Sequence, residues 1–145
     1  MNDRLQQATG GRTPPVGGFW TWIGGRGRRR EYWLWMVPLL LAGVALSLTS
    51  VPGAALIVAL PKLFAMIRRL HDIGQSGWIA VIINVASNIG SFVLILIVGV
   101  EGGALLAYLA YLAALVVLGA WPGQRTTNAY GPPTGKAGEL AEAFR

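Results

Sequence analysis

The chain has 145 residues, enough for one domain, and it is 54% hydrophobic but only 12% charged. This charged share is about half of the roughly 25% usual in soluble proteins, which argues against a soluble globular protein. The formal net charge is +6, but most basic residues lie at the ends of apolar stretches, where anionic lipid is a nearer partner than nucleic acid. The sequence contains no cysteine, which excludes disulfides and thiol chemistry.

The termini differ in composition from the middle of the chain. The first 18 residues are polar and rich in Gly and Pro, and no short apolar segment with a cleavage site follows them. We therefore expect a disordered tail over residues 1–18 and no removable signal peptide. The membrane domain is expected over residues 19–133, with a polar C-terminal tail over residues 134–145.

Long stretches without a charged residue, at 33–61, 73–100 and 102–124, predict membrane-spanning helices. A helix needs about 20 apolar residues to cross the hydrocarbon core of a bilayer. We place spans at about residues 33–50, 52–67, 78–99 and 104–121, with turns at TSVPG and GVEGG. The second span is the shortest and contains Pro61 and Lys62, so a re-entrant segment that dips in and returns is the alternative there.

The positions of Lys and Arg predict the orientation of these spans. Basic residues cluster at 26–30, 68–69 and 125–136, whereas the connectors near Pro52 and Glu101 carry none. With four spans every cluster falls on one side, which the positive-inside rule makes cytoplasmic. The expected fold class is therefore an all-α integral membrane protein with four transmembrane helices in two hairpins and both termini cytoplasmic.

Two stretches carry a recognisable family signature. IGGRGRRREYW begins at Ile23, and an LP dipeptide is followed by RRLHDIGQSGW from Arg68 to Trp78. With PG and NAYGPP after the last span, they resemble the bacterial inner-membrane family known as domain of unknown function 805, over about residues 19–133. The resemblance implies a small multi-span protein of the bacterial inner membrane, and it implies no activity.

The charged groups within AMIRRLHDIGQSGWIAV have a structural interpretation, which we favour. If the second span continues as a helix through Asp72, either Arg68 or Arg69 can pair with that carboxylate at a spacing of four or three residues. Gly74 suits the left-handed residue that ends a helix, and Ser76 suits the cap of the next helix. The motif then forms a helix–turn–helix at the membrane surface.

A second interpretation of the same charges is a binding site for a lipid phosphate. Arginine side chains match phosphate oxygens with two parallel hydrogen bonds, and the free amides at the start of the third span would add donors. This hypothesis assigns the headgroup to Arg26, Arg29, Arg68, Arg69, His71 and Asp72. It is compatible with the structural interpretation, because one cluster could both fold the turn and bind lipid.

A catalytic interpretation is the weakest. His71 as a base and Asp72 as its orienting group would point about 100° apart on one helix. Ser76 completes a nominal Ser/His/Asp set, but no nucleophile-elbow pattern surrounds it. One histidine without cysteine makes a transition-metal site improbable. We therefore assign no catalytic residue, no metal ligand and no cofactor.

Polar side chains within the third span form a further feature. Asn84, Ser87, Asn88 and Ser91 recur at a spacing that places them on one helical face. We favour hydrogen bonding between helices, for example to Tyr108 and Tyr111 of the fourth span, since such bonds contribute about 0.6 to 2 kcal/mol each. The alternative is a polar path for a small solute or a proton.

The functional expectation that combines these observations is a non-enzymatic interaction or membrane-organising protein of the bacterial inner membrane. Its basic cytoplasmic face would contact anionic lipid headgroups. The first alternative is a small transporter or channel element using the polar face of the third helix. The second is a membrane enzyme acting on a phosphorylated lipid. Membrane lipids are the expected partners, homo-oligomers are compatible with the small residues of the fourth span, and nucleic acid is not expected.

Overall fold

The computed structural model describes residues 18–49 and 53–134. They form five α-helices: α1 (Phe19–Gly24), α2 (Arg29–Ser47), α3 (Ala54–Ile73), α4 (Trp78–Val98) and α5 (Val100–Ala120). The described residues contain no β-strand, only an isolated bridge between Asn128 and Gly131. The all-α prediction is confirmed for these residues. The disorder predicted for residues 1–18 and the polar tail predicted over 134–145 fall almost entirely outside them.

Of the described helices, α4 and α5 are the two that are long and apolar enough to cross a membrane. Helices α2 and α3 have similar lengths of 19 and 20 residues. They carry charges that α4 lacks, because α2 begins with Arg29, Arg30 and Glu31, and α3 contains Lys62 and ends in a charged turn. Two helices of this kind indicate a membrane protein.

The outward faces of the helices are apolar. Large hydrophobic side chains are exposed on every long helix, including Leu41 on α2, Leu56 on α3, Leu96 on α4 and Val117 on α5. Exposure to water is unfavourable by about 25 cal/mol for each Å² of apolar surface, and contiguous apolar surfaces of this kind mark membrane or protein contacts. The apolar surface exposed on all four long helices therefore points to a membrane protein, as the apolar composition of α4 and α5 does.

The long helices pack as two hairpins, α2 with α3 and α4 with α5. The predicted GVEGG loop is wrong, because the α4–α5 connection is Gly99 alone, with a φ of 94°. Helix α5 resumes at Val100, and Glu101 lies in its first turn, where a carboxylate favours the helix dipole. A Cβ at Gly103 would clash with the α4 backbone at Ile95, so this glycine permits the tight turn.

Helix α3 is continuous through Pro61 and does not turn back, unlike a re-entrant segment. It extends past residue 67, the predicted limit of the span, to Ile73, which agrees with the interpretation in which the helix continues through Asp72. The amide of Gly27, just before α2, donates to the carbonyl of Arg68 near the end of α3, with N and O 2.9 Å apart. The two helices are therefore antiparallel.

Tight packing is concentrated at one end of the bundle. The buried apolar cluster comprises Tyr32, Met36, Ala65, Met66, Leu70, Ala80, Leu115 and Leu118. These residues lie where α2 and α4 begin and where α3 and α5 end, which we call the proximal end. The Tyr32 hydroxyl donates to the carbonyl of Leu115 at 3.0 Å, joining α2 to α5. The opposite, distal end contains the α4–α5 turn at Gly99. The middle of the predicted TSVPG turn, residues 50–52, lies outside the described residues.

Candidate functional site

The last turn of α3 positions the charged motif at the proximal end. Gly74 has a φ of 82°, in the left-handed region that glycine adopts without strain. Its amide donates to the carbonyl of His71 at 3.1 Å, and the amide of Gln75 donates to the carbonyl of Leu70 at 2.8 Å. This is the Schellman arrangement that satisfies the final carbonyls of a helix. This turn ends α3, and the charged side chains of its last residues contact the neighbouring segments of the chain.

The carboxylate of Asp72 lies between two buried arginines. Its Oδ1 accepts from Nε of Arg26 at 3.1 Å and from the hydroxyl of Thr134 at 3.0 Å. Its Oδ2 accepts from Nη1 of Arg69 at 2.6 Å. Arg26, Arg69 and Asp72 are 6%, 0% and 4% exposed. We call these three residues the ion network.

All three nitrogens of the Arg69 guanidinium group donate hydrogen bonds to acceptors within the protein. Besides Asp72, it donates to the carbonyl of Leu118 at 3.1 Å and of Gly27 at 3.4 Å, and also to that of Trp121. Burial lowers the pKa of Arg69 and the ion pair with Asp72 raises it, and a guanidinium remains protonated in proteins. Arg69 thus joins the end of α3 to the end of α5. It also joins both to residues 25–28, which we call the α1–α2 link.

Arg26 binds the segment that follows α5 in the same way. Its Nη1 donates to the carbonyl of Thr126 at 2.8 Å and of Gly131 at 3.4 Å. Its Nη2 donates to the carbonyl of Asp72 at 3.3 Å and to that of Gln124. Neither buried arginine of the ion network therefore has a side-chain nitrogen left without a protein acceptor.

Residues 121–134, which we call the C-terminal strap, cover the ion network. The amide of Gln124 donates to the carbonyl of Asp72 at 2.8 Å, and the side-chain amide of Asn128 donates to the carbonyl of His71 at 2.9 Å. A Cβ at Gly123 would collide with the Asp72 carboxylate. Only glycine lets the strap lie so close to the network.

Arg68 points to a different set of partners. It forms an ion pair with Glu31 at 2.9 Å, donates to the carbonyl of Arg26 at 3.2 Å, and lies 4.2 Å from the ring centroid of Trp22. Its Nε and Nη1 are buried without a hydrogen-bond partner among the described residues. The adjoining cavity of about 10 Å³ is large enough for one water molecule but not for a phosphate group.

His71 lies beneath the strap. Its ring stacks on that of Tyr130 with centroids 3.8 Å apart, and its Nδ1 is 3.3 Å from the carbonyl oxygen of Gly25. Burial lowers the pKa of His71, and backbone hydrogen bonds at the α1–α2 link partly oppose this shift. The oxygens of Asp72 are bound by other residues, so the two neighbours do not form a base and its orienting group.

Ser76 lines one pocket with His71, but no hydrogen bond joins their side chains among the described residues. The Ser76 hydroxyl oxygen accepts from the amide of Trp78 at 3.4 Å. The cap of α4 is Gly77, so the prediction of Ser76 as its cap is wrong. The described residues also contain no group of three His, Cys, Asp or Glu side chains that could hold a metal ion.

Other arginines lie on the surface around the network. Arg28, Arg29, Arg30 and Arg125 are exposed, and we call them the basic rim. Arg29 donates from Nε to the carbonyl of Trp121 at 3.2 Å, and its two terminal nitrogens have no hydrogen bond among the described residues. Exposed aromatic side chains lie at the same end, namely Trp20, Trp35, Trp78 and Trp121.

Helix α1 contributes to this aromatic surface. Phe19 meets Phe64 of α3 edge to face, with ring centroids 5.4 Å apart. Trp20 is 81% exposed on the same short helix. An exposed aromatic ring beside arginines is the composition of a membrane–water interface.

The six residues predicted to bind a lipid phosphate therefore have different positions. Arg26, Arg69 and Asp72 form the ion network, Arg68 pairs with Glu31, and His71 lies under Tyr130. Arg29 alone of the six is exposed.

Sequence reasoning did not predict the strap residues Gln124, Asn128 and Thr134 as partners of this site. The strap sequences PG and NAYGPP were the available signal, and they were used only for the family resemblance.

The four polar residues of α4, Asn84, Ser87, Asn88 and Ser91, share one cavity with Lys62. The cavity lies between the two hairpins and has a volume of about 500 Å³. At its base the hydroxyl of Tyr111 donates to Oδ1 of Asn84 at 3.3 Å, and the amide of Asn84 donates to the sulfur of Met66 at 3.5 Å. We call this space the hairpin cavity.

A protein-family model matches the chain. The model described as "Protein of unknown function (DUF805)" matches residues 50–132, which is more than half of the chain. The matched range includes α3, α4, α5 and most of the strap, but not Arg26 or the rim arginines Arg28, Arg29 and Arg30. Neither the curated proteins nor the solved structures gave a match.

Proposed function

Since the chain belongs to the DUF805 family, whose description assigns no activity, we propose a function from its own residues. We propose that it is a non-enzymatic, membrane-organising protein of the bacterial inner membrane that binds anionic lipid headgroups at its basic rim. In this proposal α2, α3, α4 and α5 all cross the membrane, and both termini are cytoplasmic.

The distribution of charge supports the four-span arrangement. At the proximal end lie the basic rim, the ion network, Arg68 and Glu31, whereas Glu101 is the one charged residue at the distal end of the described chain. Helices α2 and α3 are antiparallel, and at about 1.5 Å per residue each is about 30 Å long with its charged proximal turn included. In this proposal those charged turns lie in the headgroup layer and the apolar remainder crosses the hydrocarbon core. The positive-inside rule then places the proximal end in the cytoplasm.

The exposure of the basic rim is the observation that carries the lipid-binding proposal. All four rim arginines are exposed, and Arg29 uses only its Nε on a protein carbonyl among the described residues. Each arginine near an anionic membrane surface contributes about 1 kcal/mol to attraction. Exposed tryptophans beside them suit the headgroup level, so the rim and the aromatic rings would reach the same layer of the bilayer.

The ion network has a supporting part in this proposal. Arg26 and Arg69 use their nitrogens on Asp72 and on backbone carbonyls, so they fix the α1–α2 link that presents the rim. Arg68 and His71 fix the same link from α3, through the carbonyls of Arg26 and Gly25. Of the residues first assigned to a phosphate, we retain Arg29 as a lipid contact.

Native mass spectrometry of the full chain released from nanodiscs tests the proposal. The nanodiscs contain equal amounts of phosphatidylglycerol and phosphatidylcholine, and the retained lipids are counted. We expect wild type to be enriched in phosphatidylglycerol and Arg28→Gln/Arg30→Gln to lose most of this enrichment. The control is Arg28→Lys/Arg30→Lys, which keeps both charges and should keep the enrichment. Equal phosphatidylglycerol enrichment in wild type and the glutamine variant would contradict the proposal.

A further inference from the structure

The hairpin cavity is a pocket that opens toward the distal half of the bundle. Its walls include Ser47 at the end of α2, Val58 near the start of α3 and Ala104 near the start of α5. Toward the proximal end it stops at Met66, which is fully buried beneath Asn84 and Tyr111. The buried apolar cluster fills the bundle beyond that point. The cavity is therefore a dead end and not a path through the protein.

Lys62 places a positive charge in this pocket. It is the one charged residue lining the cavity in the described part of the chain. Along α3 it lies about 12 Å from Ala54 and about 9 Å before Arg68, which is near the middle of the helix. Charged side chains at such depth are unfavourable and mark sites where another group binds.

No protein carboxylate balances this charge among the described residues. Glu31 and Asp72 are paired with arginines at the proximal end, and Glu101 is exposed in the first turn of α5. The ammonium of Lys62 lies 5.6 Å from the ring centroid of Tyr111, a cation–π contact that compensates only part of the lost hydration. An anion beside Lys62 would complete the compensation.

The rest of the lining combines hydrogen-bond donors with an apolar wall. Hydroxyl groups of Ser87, Ser91 and Tyr108 face the same space as Lys62. Leu40 and Val44 of α2 line the opposite side. The volume of about 500 Å³ falls within the roughly 300–1,000 Å³ typical of small-molecule sites. A ligand with one charged end and one apolar end fits both walls.

We propose that the hairpin cavity binds the anionic end of a single-chain amphiphile, with a carboxylate on Lys62 and the chain along α2. A single lysine provides one positive charge, which a singly charged carboxylate balances, whereas a phosphate group with two negative charges would leave one of them unbalanced. The site is independent of the basic rim, since Lys62 and the rim lie in different halves of the bundle. Either proposal can therefore fail without the other.

The experiment measures saturable binding of radiolabelled palmitate to the full chain purified in a maltoside detergent. Three variants are compared with wild type: Lys62→Met, Lys62→Arg and Leu60→Met. Leu60 is 56% exposed on α3 and does not line the cavity, so its variant is the matched control. Thermal unfolding followed by tryptophan fluorescence checks that each variant is folded, and Lys62→Met is expected to fold because it removes a charge from an apolar helix.

We expect Lys62→Met to weaken palmitate binding by about tenfold or more, as for loss of one partner of a desolvated charge pair. Lys62→Arg and Leu60→Met should bind like wild type. Acetate and hexadecanol, which each lack one end of the ligand, should compete poorly. Unchanged palmitate binding in folded Lys62→Met would overturn the proposal. If hexadecanol competes as well as palmitate, the cavity binds only the apolar chain and the proposal fails. If acetate competes as well as palmitate, the cavity binds only a small anion and the proposal also fails.

Discussion

Arg26 and Asp72 form a buried ion pair, with Nε and Oδ1 3.1 Å apart, across 46 positions of sequence. Arg69 binds the other carboxylate oxygen of Asp72 from the opposite side. Two guanidinium groups therefore share one carboxylate, and the network keeps a positive charge that backbone carbonyls must stabilise. Each of those carbonyls belongs to the α1–α2 link, the last turns of α3 or α5, or the strap, so the network joins all four segments.

Neutralising the carboxylate should be strongly destabilising. In Asp72→Asn two buried arginines lose their counter-charge, and breaking a buried pair in this way costs about 3–5 kcal/mol. We expect a large fall in the midpoint of thermal or denaturant unfolding in detergent. The control is Glu101→Gln, an exposed carboxylate for which we expect a change within about 0.5 kcal/mol. Similar unfolding midpoints for the two variants would show that the network contributes little to stability.

A methyl group at position 123 should separate the strap from the network. The new Cβ of Gly123→Ala would occupy the space of the Asp72 carboxylate, and overpacking of this kind costs about 1–3 kcal/mol. Gly90→Ala is the matched substitution, because a Cβ there meets nothing within 4 Å in the described residues. It lies within α4 and should be neutral or stabilising by up to about 1 kcal/mol. The unfolding midpoint should fall for Gly123→Ala and should stay unchanged or rise for Gly90→Ala, and equal shifts would contradict the packing described here.

Stability should fall as the pH falls below the ordinary pKa of histidine. The pKa of His71 is lowered by burial, so the unfolded chain takes up a proton at about pH 6.5, before the folded chain does. The contribution of neutral His71 is complete above that pH and is lost as the pH falls toward the folded pKa. The slope in that window is at most about 1.4 kcal/mol per pH unit.

This prediction is checked by unfolding midpoints measured between pH 7.5 and pH 5. His71→Gln removes the titrating ring, so its midpoint should depend less steeply on pH than that of wild type. The comparison uses slopes and not absolute stability, since the substitution also removes the stacking on Tyr130. Parallel slopes would show that other groups cause the pH dependence.

Cysteine labelling tests the four-span orientation directly, because the natural chain contains no cysteine. Single cysteines replace two exposed residues, Glu101 near the distal turn and Thr127 in the strap. In intact cells whose outer membrane has been made permeable, a membrane-impermeant maleimide should label Glu101→Cys and leave Thr127→Cys unlabelled. Both should react after lysis. Labelling of Thr127→Cys in intact cells would reverse or abolish the proposed topology.

Local features of the α3 end followed from the sequence. The spacing of Arg69 and Asp72 allowed their pairing, and Gly74 was assigned the left-handed conformation that it adopts. The sequence left Arg68 and Arg69 as alternatives for Asp72, and the structure pairs Arg68 with Glu31 of α2 instead. Interactions within one helical turn are readable because helix geometry fixes which residues are neighbours.

The partners of Arg26 were not predictable in the same way. Its carbonyl acceptors lie about 100 positions away in the strap, and any backbone carbonyl is an equivalent acceptor, so no residue type reveals them. In addition, nothing in the sequence distinguishes a buried Arg26 from the three exposed arginines beside it. The start of α5 was misjudged, since the glycines near 102 suggested a loop within a continuous helix.

The strap gives the chain an order of assembly. Helices α2 and α3 leave the ribosome well before residues 121–134, and chains begin to fold from the N-terminus during synthesis. Until the strap arrives, Arg26 lacks the carbonyls of Gln124 and Thr126, and Asp72 lacks the hydroxyl of Thr134. Because these groups are at the proximal surface, water can bind them during the delay. The strap, which is synthesised after all five helices, therefore closes the site, and a nascent chain interrupted before it would carry an unfinished, hydrated cluster of charge.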